Sequence, residues 1–205
     1  MSEISVLIIE DDPLIASDIQ GFLEDMDYSV FAIAHNAKAA FKALEKSKPD
    51  IALVDINLGN NMDGFIIAER LYNHYDVPFI YLTSYSSAQV LQQAKETHPM
   101  GYIVKPFDEA DLFTSIEIAI ANYARQHRPK RFTREIINQK LVVDLTPKEF
   151  EILVDMYDGK TNRQITEKHF LSLSTIKTHV QRIYDKLDCH TRSETIALIR
   201  TLLME

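Results

Sequence analysis

SVLIIEDDP, residues 5–13, is an apolar run that ends abruptly in three acids and a proline. Behind it, Leu14, Ile15, Ile19, Phe22, Leu23 and Met26 recur at helical spacing. A short, continuously apolar strand reads as one buried on both faces of a parallel sheet, and the amphipathic segment that follows is its crossover helix. The alternation repeats along the chain. Apolar runs stand at 30–34, 51–54, 79–82 and 102–104. Helix-period segments lie between them: one capped by Asn36 that carries Ala40, Phe41 and Leu44, one at 65–71, one at 90–94, and one carrying Leu112, Ile116, Ala119, Ile120 and Tyr123. Five strands alternating with five helices predict an α/β domain over residues 1–124, a doubly wound five-stranded parallel sheet with right-handed crossovers.

Ligands of such a sheet bind beyond the carboxyl ends of its strands. Strand one ends in Glu10-Asp11-Asp12, strand three in Asp55, strand four in Thr83-Ser84 and strand five in Lys105-Pro106. Any one acid at a strand end reads as a solvated loop residue. Several converging on one edge repel one another and call for a hard divalent cation with oxygen ligands, the pattern of Mg2+. With the ammonium of Lys105 and the hydroxyl of Thr83 beside it, a carboxylate there is equipped as a nucleophile for phosphoryl transfer.

The composition agrees with a globular protein. The 205 residues are 46% hydrophobic and 25% charged, with five Gly, seven Pro and one Cys, which excludes disordered, collagen-like and disulfide-built classes. No apolar run approaches the ~20 residues of a membrane span. The acids near the start stand where a signal peptide carries Lys or Arg, so a cytoplasmic protein without membrane partners is expected. Cys189 has no second cysteine to pair with and reads as a small packing residue.

Charge divides the chain. Residues 1–124 hold seven Lys and Arg against nineteen Asp and Glu, a net −12, whereas residues 125–205 hold fifteen against eleven, a net +4. Only the second part is suited to a polyanion. Residues 125–144 read as a basic linker, with five basic residues between Arg125 and Arg134 and a proline at 129, and the apolar stretch 136–143 is expected to dock. From Leu145 the helix signals are strong. Thr146-Pro147-Lys148-Glu149 is a capping box with Phe150, Leu153, Val154 and Tyr157 behind it, and Gly159 is its stop. Thr161 to Gln164 repeats the box. Ser172 and Thr175 open a third helix that buries Ile176, Val180, Ile183 and Leu187 and turns Lys177, Thr178, Gln181 and Asp185 outward with Arg182 beside them. A last helix spans about 192–203. Such a four-helix, all-α domain contains a helix-turn-helix suited to a major groove, although patterning alone also permits a bundle whose polar face is solvated or binds protein.

Both halves resemble known families. Over residues 3–124, Glu10-Asp11, Asp55 at the end of ALVD, Thr83, Tyr102 and Lys105-Pro106 resemble the CheY-like receiver domain of two-component response regulators. The resemblance implies that Asp55 takes phosphate from a sensor histidine kinase. It also implies that Asp11, Asp55 and the backbone carbonyl of Asn57 hold Mg2+, with Glu10 acting through water and Asp12 opening the first helix. Lys105 would bind the phosphoryl group across a cis bond to Pro106, Thr83 would move toward it, and Tyr102 would turn inward. Two departures are the proline-free loop Leu58 to Gly64, one residue longer than usual, and Ser84 in place of Ala. Residues 145–198, with LTPKEFEIL, Gly159, TNRQI and LSLSTIKTHVQRIYDKL, resemble the LuxR-type helix-turn-helix of the NarL/FixJ regulators. That implies base contacts from Lys177, Thr178 and Gln181, and phosphate contacts from Ser172, Thr175, Arg182 and Lys186. His179 either touches phosphate or packs between helices. Lys168-His169-Phe170 is bulkier than usual. Together the halves imply a transcription regulator, not an enzyme, that binds double-stranded DNA as a phosphorylation-favoured homodimer. A Mg2+-dependent phosphohydrolase is the weaker alternative, since Asn57 stands where its second acid belongs.

Overall fold

The computed structural model describes residues 4–59, 63–84, 88–127 and 132–204. The chain forms two compact units, Ile4–Asn122 and Tyr123–Glu205. In the first, β1 (Ser5–Ile9), α1 (Pro13–Asp25), β2 (Ser29–Ala34), α2 (Ala37–Leu44), β3 (Ile51–Asp55) and α3 (Asp63–Arg70) follow one another. A π-helical turn (Leu71–Tyr75), β4 (Phe79–Thr83), α4 (Ala88–Glu96), β5 (Gly101–Val104) and α5 (Glu109–Gln126), whose last residues from Tyr123 count with the second unit, complete it. The strands are all parallel, in the order β2-β1-β3-β4-β5.

The continuous apolar strands have a simple cause. Alternate residues of one strand feed two separate cores, because successive side chains point to opposite faces. Leu7, Ile9, Ala52, Val54, Phe79 and Tyr81 pack with Ala40, Leu44, Phe65 and Ile67 of α2 and α3. Val6, Ile8, Ile51, Leu53, Ile80 and Leu82 pack with Ala16, Ile19, Leu23, Leu112, Ile116 and Ala119 of α1 and α5. The order of the strands reverses at β1, which lies between β2 and β3. Register brings the strand ends level there, with Ile9 opposite both Ala34 and Val54, and Asp55 opposite Leu82. Asp12 caps α1 by accepting from the Leu14 N–H at 2.8 Å, with Pro13 at the first helical position.

The C-terminal unit contains α6 (Arg134–Asn138), α7 (Pro147–Tyr157), α8 (Asn162–His169), α9 (Leu173–Leu187) and α10 (Arg192–Met204). Both expected capping boxes form, on Thr146 with Glu149 and on Thr161 with Gln164. Ile137, Ile152, Leu153, Ile165, Ile176, Val180, Ile183 and Ile199 make the core. The expected linker corrects in two places. Residues 134–138 are helical and bury Ile137, whereas Val142 and Val143 do not dock and stand 102% and 53% exposed. Asn138 explains the difference: its side chain bonds both the N–H and the carbonyl of Leu145, at 3.0 and 3.3 Å, which closes the segment before 145 into a surface loop. Arg128 to Arg131 of that linker and Asn60 to Met62 of the lengthened loop lie outside the described residues.

Candidate phosphoryl-acceptor site and nucleic-acid interface

The carboxyl edge of the sheet gathers the acids. Glu10 and Asp55 are buried, at 1% and 6% exposure, and Lys105 Nζ donates to Glu10 Oε2 at 2.5 Å and to Asp55 Oδ2 at 2.6 Å. Asp55 Oδ1 accepts the Asn57 N–H at 2.9 Å, and Asp11 Oδ2 accepts the Gly59 N–H at 2.9 Å. Glu10, Asp11 and Asp55 each offer a carboxylate oxygen within 4.8 Å of the others. Burial pushes the Glu10 carboxyl above its ordinary value and the charge of Asp55 adds to this, against the hydrogen bond from Lys105. Burial also acts to lower Lys105, but its hydrogen bonds to Asp55 and Glu10 outweigh that and hold the ammonium charged. Three carboxylates against one ammonium leave a deficit of two positive charges. Oxygen donors with that deficit fit a hard divalent cation such as Mg2+, which receiver domains generally bind at such an acidic pocket.

The remaining residues expected at this site are brought to the same edge or just behind it. Thr83 is fully buried at the end of β4, and its carbonyl accepts the Lys105 N–H at 2.8 Å. The Lys105–Pro106 bond is cis. Tyr102 is half-buried on β5, its ring 6.3 Å from that of Tyr81 and edge-on to it. Asn57, two residues after Asp55, is tied to it through its own N–H.

Two contributors were not legible beforehand. His35 follows β2 directly, and its Nδ1 bonds the Glu10 carbonyl at 2.8 Å. Gly64, near the start of α3, lets the helix touch the acceptor strand: a Cβ there would lie 2.3 Å from the Asp55 carbonyl oxygen and 2.6 Å from Ile56 Cα. A glycine nine residues from the nearest acid of the cluster gives no one-dimensional sign of that approach; only the level strand end signals His35.

In the C-terminal unit, α8 and α9 form the expected helix-turn-helix. Ser172 caps α9 by accepting the Thr175 N–H at 3.2 Å, and its hydroxyl bonds those of Ser174 and Thr175 at 2.8 Å each. Thr178, Gln181 and Arg182 are exposed and Lys177 is half-buried. Thr178 Oγ1 donates to the Ser174 carbonyl and Gln181 Nε2 to Asp185 Oδ1, both at 2.9 Å. Lys186 is committed elsewhere: it donates to buried Glu149 and to the Asp144 carbonyl, both at 2.7 Å, which ties α9 to the start of α7. His179 is half-buried, with Nδ1 enclosed and unpartnered among the described residues. Cys189 is buried in the core, and burial pushes its thiol up.

Comparison with known proteins follows the same division. The profile of the response regulator receiver domain matches residues 6–117, and that of the bacterial regulatory proteins of the luxR family matches residues 143–199. A putative transcriptional regulator of Pseudomonas aeruginosa is 27% identical over 202 residues, covering 95% of this chain and 96% of its own. The transcriptional regulatory protein LiaR of Bacillus subtilis is 27% identical over 199 residues, covering 93% and 94%. Among solved structures, the signal receiver domain of a modulated diguanylate cyclase from Desulfovibrio desulfuricans is 37% identical with a TM-score of 0.56, covering 60% of this chain and 97% of that one. A CheY-like receiver domain protein from Methanospirillum hungatei is 25% identical with a TM-score of 0.56, covering 61% and 99%. A buried acid edge on a five-stranded parallel sheet, followed by a helix-turn-helix, is thus matched in both parts and in order: the chain belongs to the two-component response regulators of the NarL/FixJ type, DNA-binding transcription regulators in which a receiver domain is joined to a LuxR-type helix-turn-helix.

Proposed function

We propose that Asp55 is the phosphoryl acceptor and that its modification by a sensor histidine kinase controls DNA binding. The observation that carries this is the bridge of Lys105 between Glu10 and Asp55 at a strand end beside Asp11. In the transfer, a carboxylate oxygen of Asp55 forms a bond to phosphorus as the phosphorus–nitrogen bond of the phosphohistidine breaks, and the imidazole leaves. Asp11, Asp55 and the Asn57 carbonyl would hold Mg2+, with Glu10 behind them, and the bound ion supplies neutralisation of phosphoryl charge. Lys105 binds the new phosphoryl oxygens. Thr83 turns its hydroxyl toward them and Tyr102 fills the space it leaves, which alters the surface formed by α4, β5 and α5.

The receiver is assigned to residues 1–124, the basic connection to 125–144 and the helix-turn-helix domain to 145–205. Lys177, Thr178 and Gln181 read base edges, while Ser172, Thr175 and Arg182 hold phosphates. Gln181 then exchanges its bond to Asp185 for one to a base. The protein works in the cytoplasm as a regulator and not an enzyme. Among the described residues no helix is long and apolar enough to cross a membrane. A homodimer on two half-sites follows from the few contacts one small module makes.

The test is treatment with acetyl phosphate and Mg2+, read by mass and by DNA affinity. One phosphate is expected in the wild type, with tighter binding to DNA; Asp55→Asn gains neither. Unmodified wild type after treatment with both acetyl phosphate and active kinases would overturn the assignment. Two further results are expected from the same protein. Mg2+ stabilises the wild type by about RT ln(1 + [Mg2+]/Kd) and so raises its melting temperature, and EDTA reverses this, whereas Asp11→Asn with Asp55→Asn loses most of that shift. Beryllofluoride moves the protein from monomer to dimer in gel filtration; two monomeric forms at working concentration would refute dimerisation.

A further inference from the structure

The head of α9 carries an apolar feature that the assigned contacts leave out. Phe170 is 94% exposed and Leu173 is 39% exposed, on either side of the turn that delivers α9. Phe170 also holds a left-handed backbone (φ 54°, ψ 41°) as the cap of α8. Glycine or asparagine adopts that conformation readily, whereas a bulky side chain is strained in it. The core has no use for the ring: Leu171 and Ile176 are the neighbours that pack inward. Leu173 is the first residue of α9, four before Lys177 and eight before Gln181, so it heads the stripe on which those side chains stand.

The hydroxyls around this step bond one another or the helix backbone and keep acceptor capacity for DNA. Ser172 bonds Ser174 and Thr175, and Thr178 bonds the Ser174 carbonyl. Beside those hydroxyls the tip of the helix turns two apolar side chains outward, Phe170 and Leu173. In a helix-turn-helix that tip enters the major groove, where the one apolar feature of a base edge is the C5 methyl of thymine.

We propose that Leu173 packs on a thymine methyl at the floor of the groove and Phe170 on the adjoining methyl or deoxyribose at its wall, so that this chain selects thymine beside the bases met by Lys177 and Gln181. The inference deepens the DNA-binding reading above and rests on it. The occupant is duplex DNA because the apolar step is continuous with the polar stripe of the same helix.

The test uses the full chain with Mg2+ and beryllofluoride. A bound sequence is selected from random duplexes, and each thymine is then replaced by deoxyuridine, which removes one methyl group and leaves the pairing edge unchanged. The wild type is expected to lose about 4-fold in affinity at one or two positions per half-site, as a methyl group of ~0.8 kcal/mol implies. Leu173→Ala binds the thymine sequence more weakly and no longer distinguishes deoxyuridine at its position. Phe170→Gly weakens binding at least 3-fold while raising the melting temperature, because relief of strain and loss of a contact act in opposite directions. Equal affinity of the wild type for every deoxyuridine duplex overturns the proposal, and so does an undiminished deoxyuridine effect in Leu173→Ala. Failure to select any duplex is a different result, and it sinks the DNA-binding reading along with the step.

Discussion

Asp155→Ala is expected to unfold the DNA-binding unit at physiological temperature while the receiver stays folded. Asp155 lies in α7 with no exposed surface. Its Oδ1 accepts from the ammonium groups of Lys160 and Lys168, the latter at 2.7 Å, and its Oδ2 accepts from His169 Nε2 at 2.7 Å. Lys148 Nζ lies 2.7 Å from His169 Nδ1, on the other side of the ring. One carboxylate thus fastens α7 to the last turn of α8, the first helix of the helix-turn-helix, and to the turn that leads into it. Removing one member of a buried ionic group costs ~3–5 kcal/mol because the others lose their compensation. Lys160 and Lys168 are 33% and 53% exposed and can turn to water, which favours the lower end of that range. A loss of ~3 kcal/mol in a unit of this size lowers the melting temperature by roughly 12–24 °C. Calorimetry should show the two units melting apart, and DNA binding disappears with the lower transition. A melting temperature within a few degrees of wild type would sink the argument.

The same residue sets an acid limit. Burial acts to raise the Asp155 carboxyl, but the hydrogen bonds from Lys160, Lys168 and His169 prevail and hold it below its ordinary value. Glu149 is lowered in the same way, burial being outweighed by Lys186 and by the capping bonds at Thr146. A carboxyl depressed on folding contributes stability that is complete above its unfolded value, ~4, and is lost as pH falls through the folded one. Stability should therefore be flat from neutrality to about pH 5 and decline below pH ~4. The gap between wild type and Asp155→Ala narrows over that lower window, and a gap as wide at pH 3 as at pH 7 would contradict this account.

Gly64→Ala has the larger expected effect on the receiver. The added Cβ meets the Asp55 carbonyl oxygen at 2.3 Å, Ile56 Cα at 2.6 Å and the Ile56 carbonyl oxygen at 2.8 Å, all of them backbone. No rotamer change relieves that contact, so α3 or the acceptor strand must shift by about an ångström. Overpacking of this kind costs ~1–3 kcal/mol or more. A displacement of ~1 Å at a reacting group costs about 100-fold in rate, so phosphate uptake from acetyl phosphate should slow by that order. Gly21→Ala is the internal control. Gly21 is exposed in α1 with nothing within 4 Å of an added Cβ, so the same substitution there should stabilise by ~0.5–1 kcal/mol and leave uptake unchanged. Two glycines with matching effects would refute the steric explanation.

Much of this organisation was readable along one dimension. Runs such as Ile51–Asp55 are apolar throughout because each strand feeds two cores, and that demand is written in consecutive residues. The capping boxes at Thr146 and Thr161 are equally local, since donor and acceptor lie three residues apart. The acid cluster was legible through a rule of topology: parallel strands of similar length end on one edge, so Glu10, Asp11, Asp55 and Lys105 had to meet. Tertiary structure alone decided the rest. His35 joins the edge through the Glu10 carbonyl, a backbone atom that no residue type announces. Lys186, readable as a phosphate contact, is taken by Glu149, 37 residues away, because a cation will neutralise the nearest buried acid in the fold. Gly64 matters for the backbone it approaches, and Asp155 for three partners on another helix and its connecting turn. Periodicity and capping depend on neighbours in the chain, and the sequence states them outright; charge compensation and steric fit depend on distances in space, which appear only once the two units have folded.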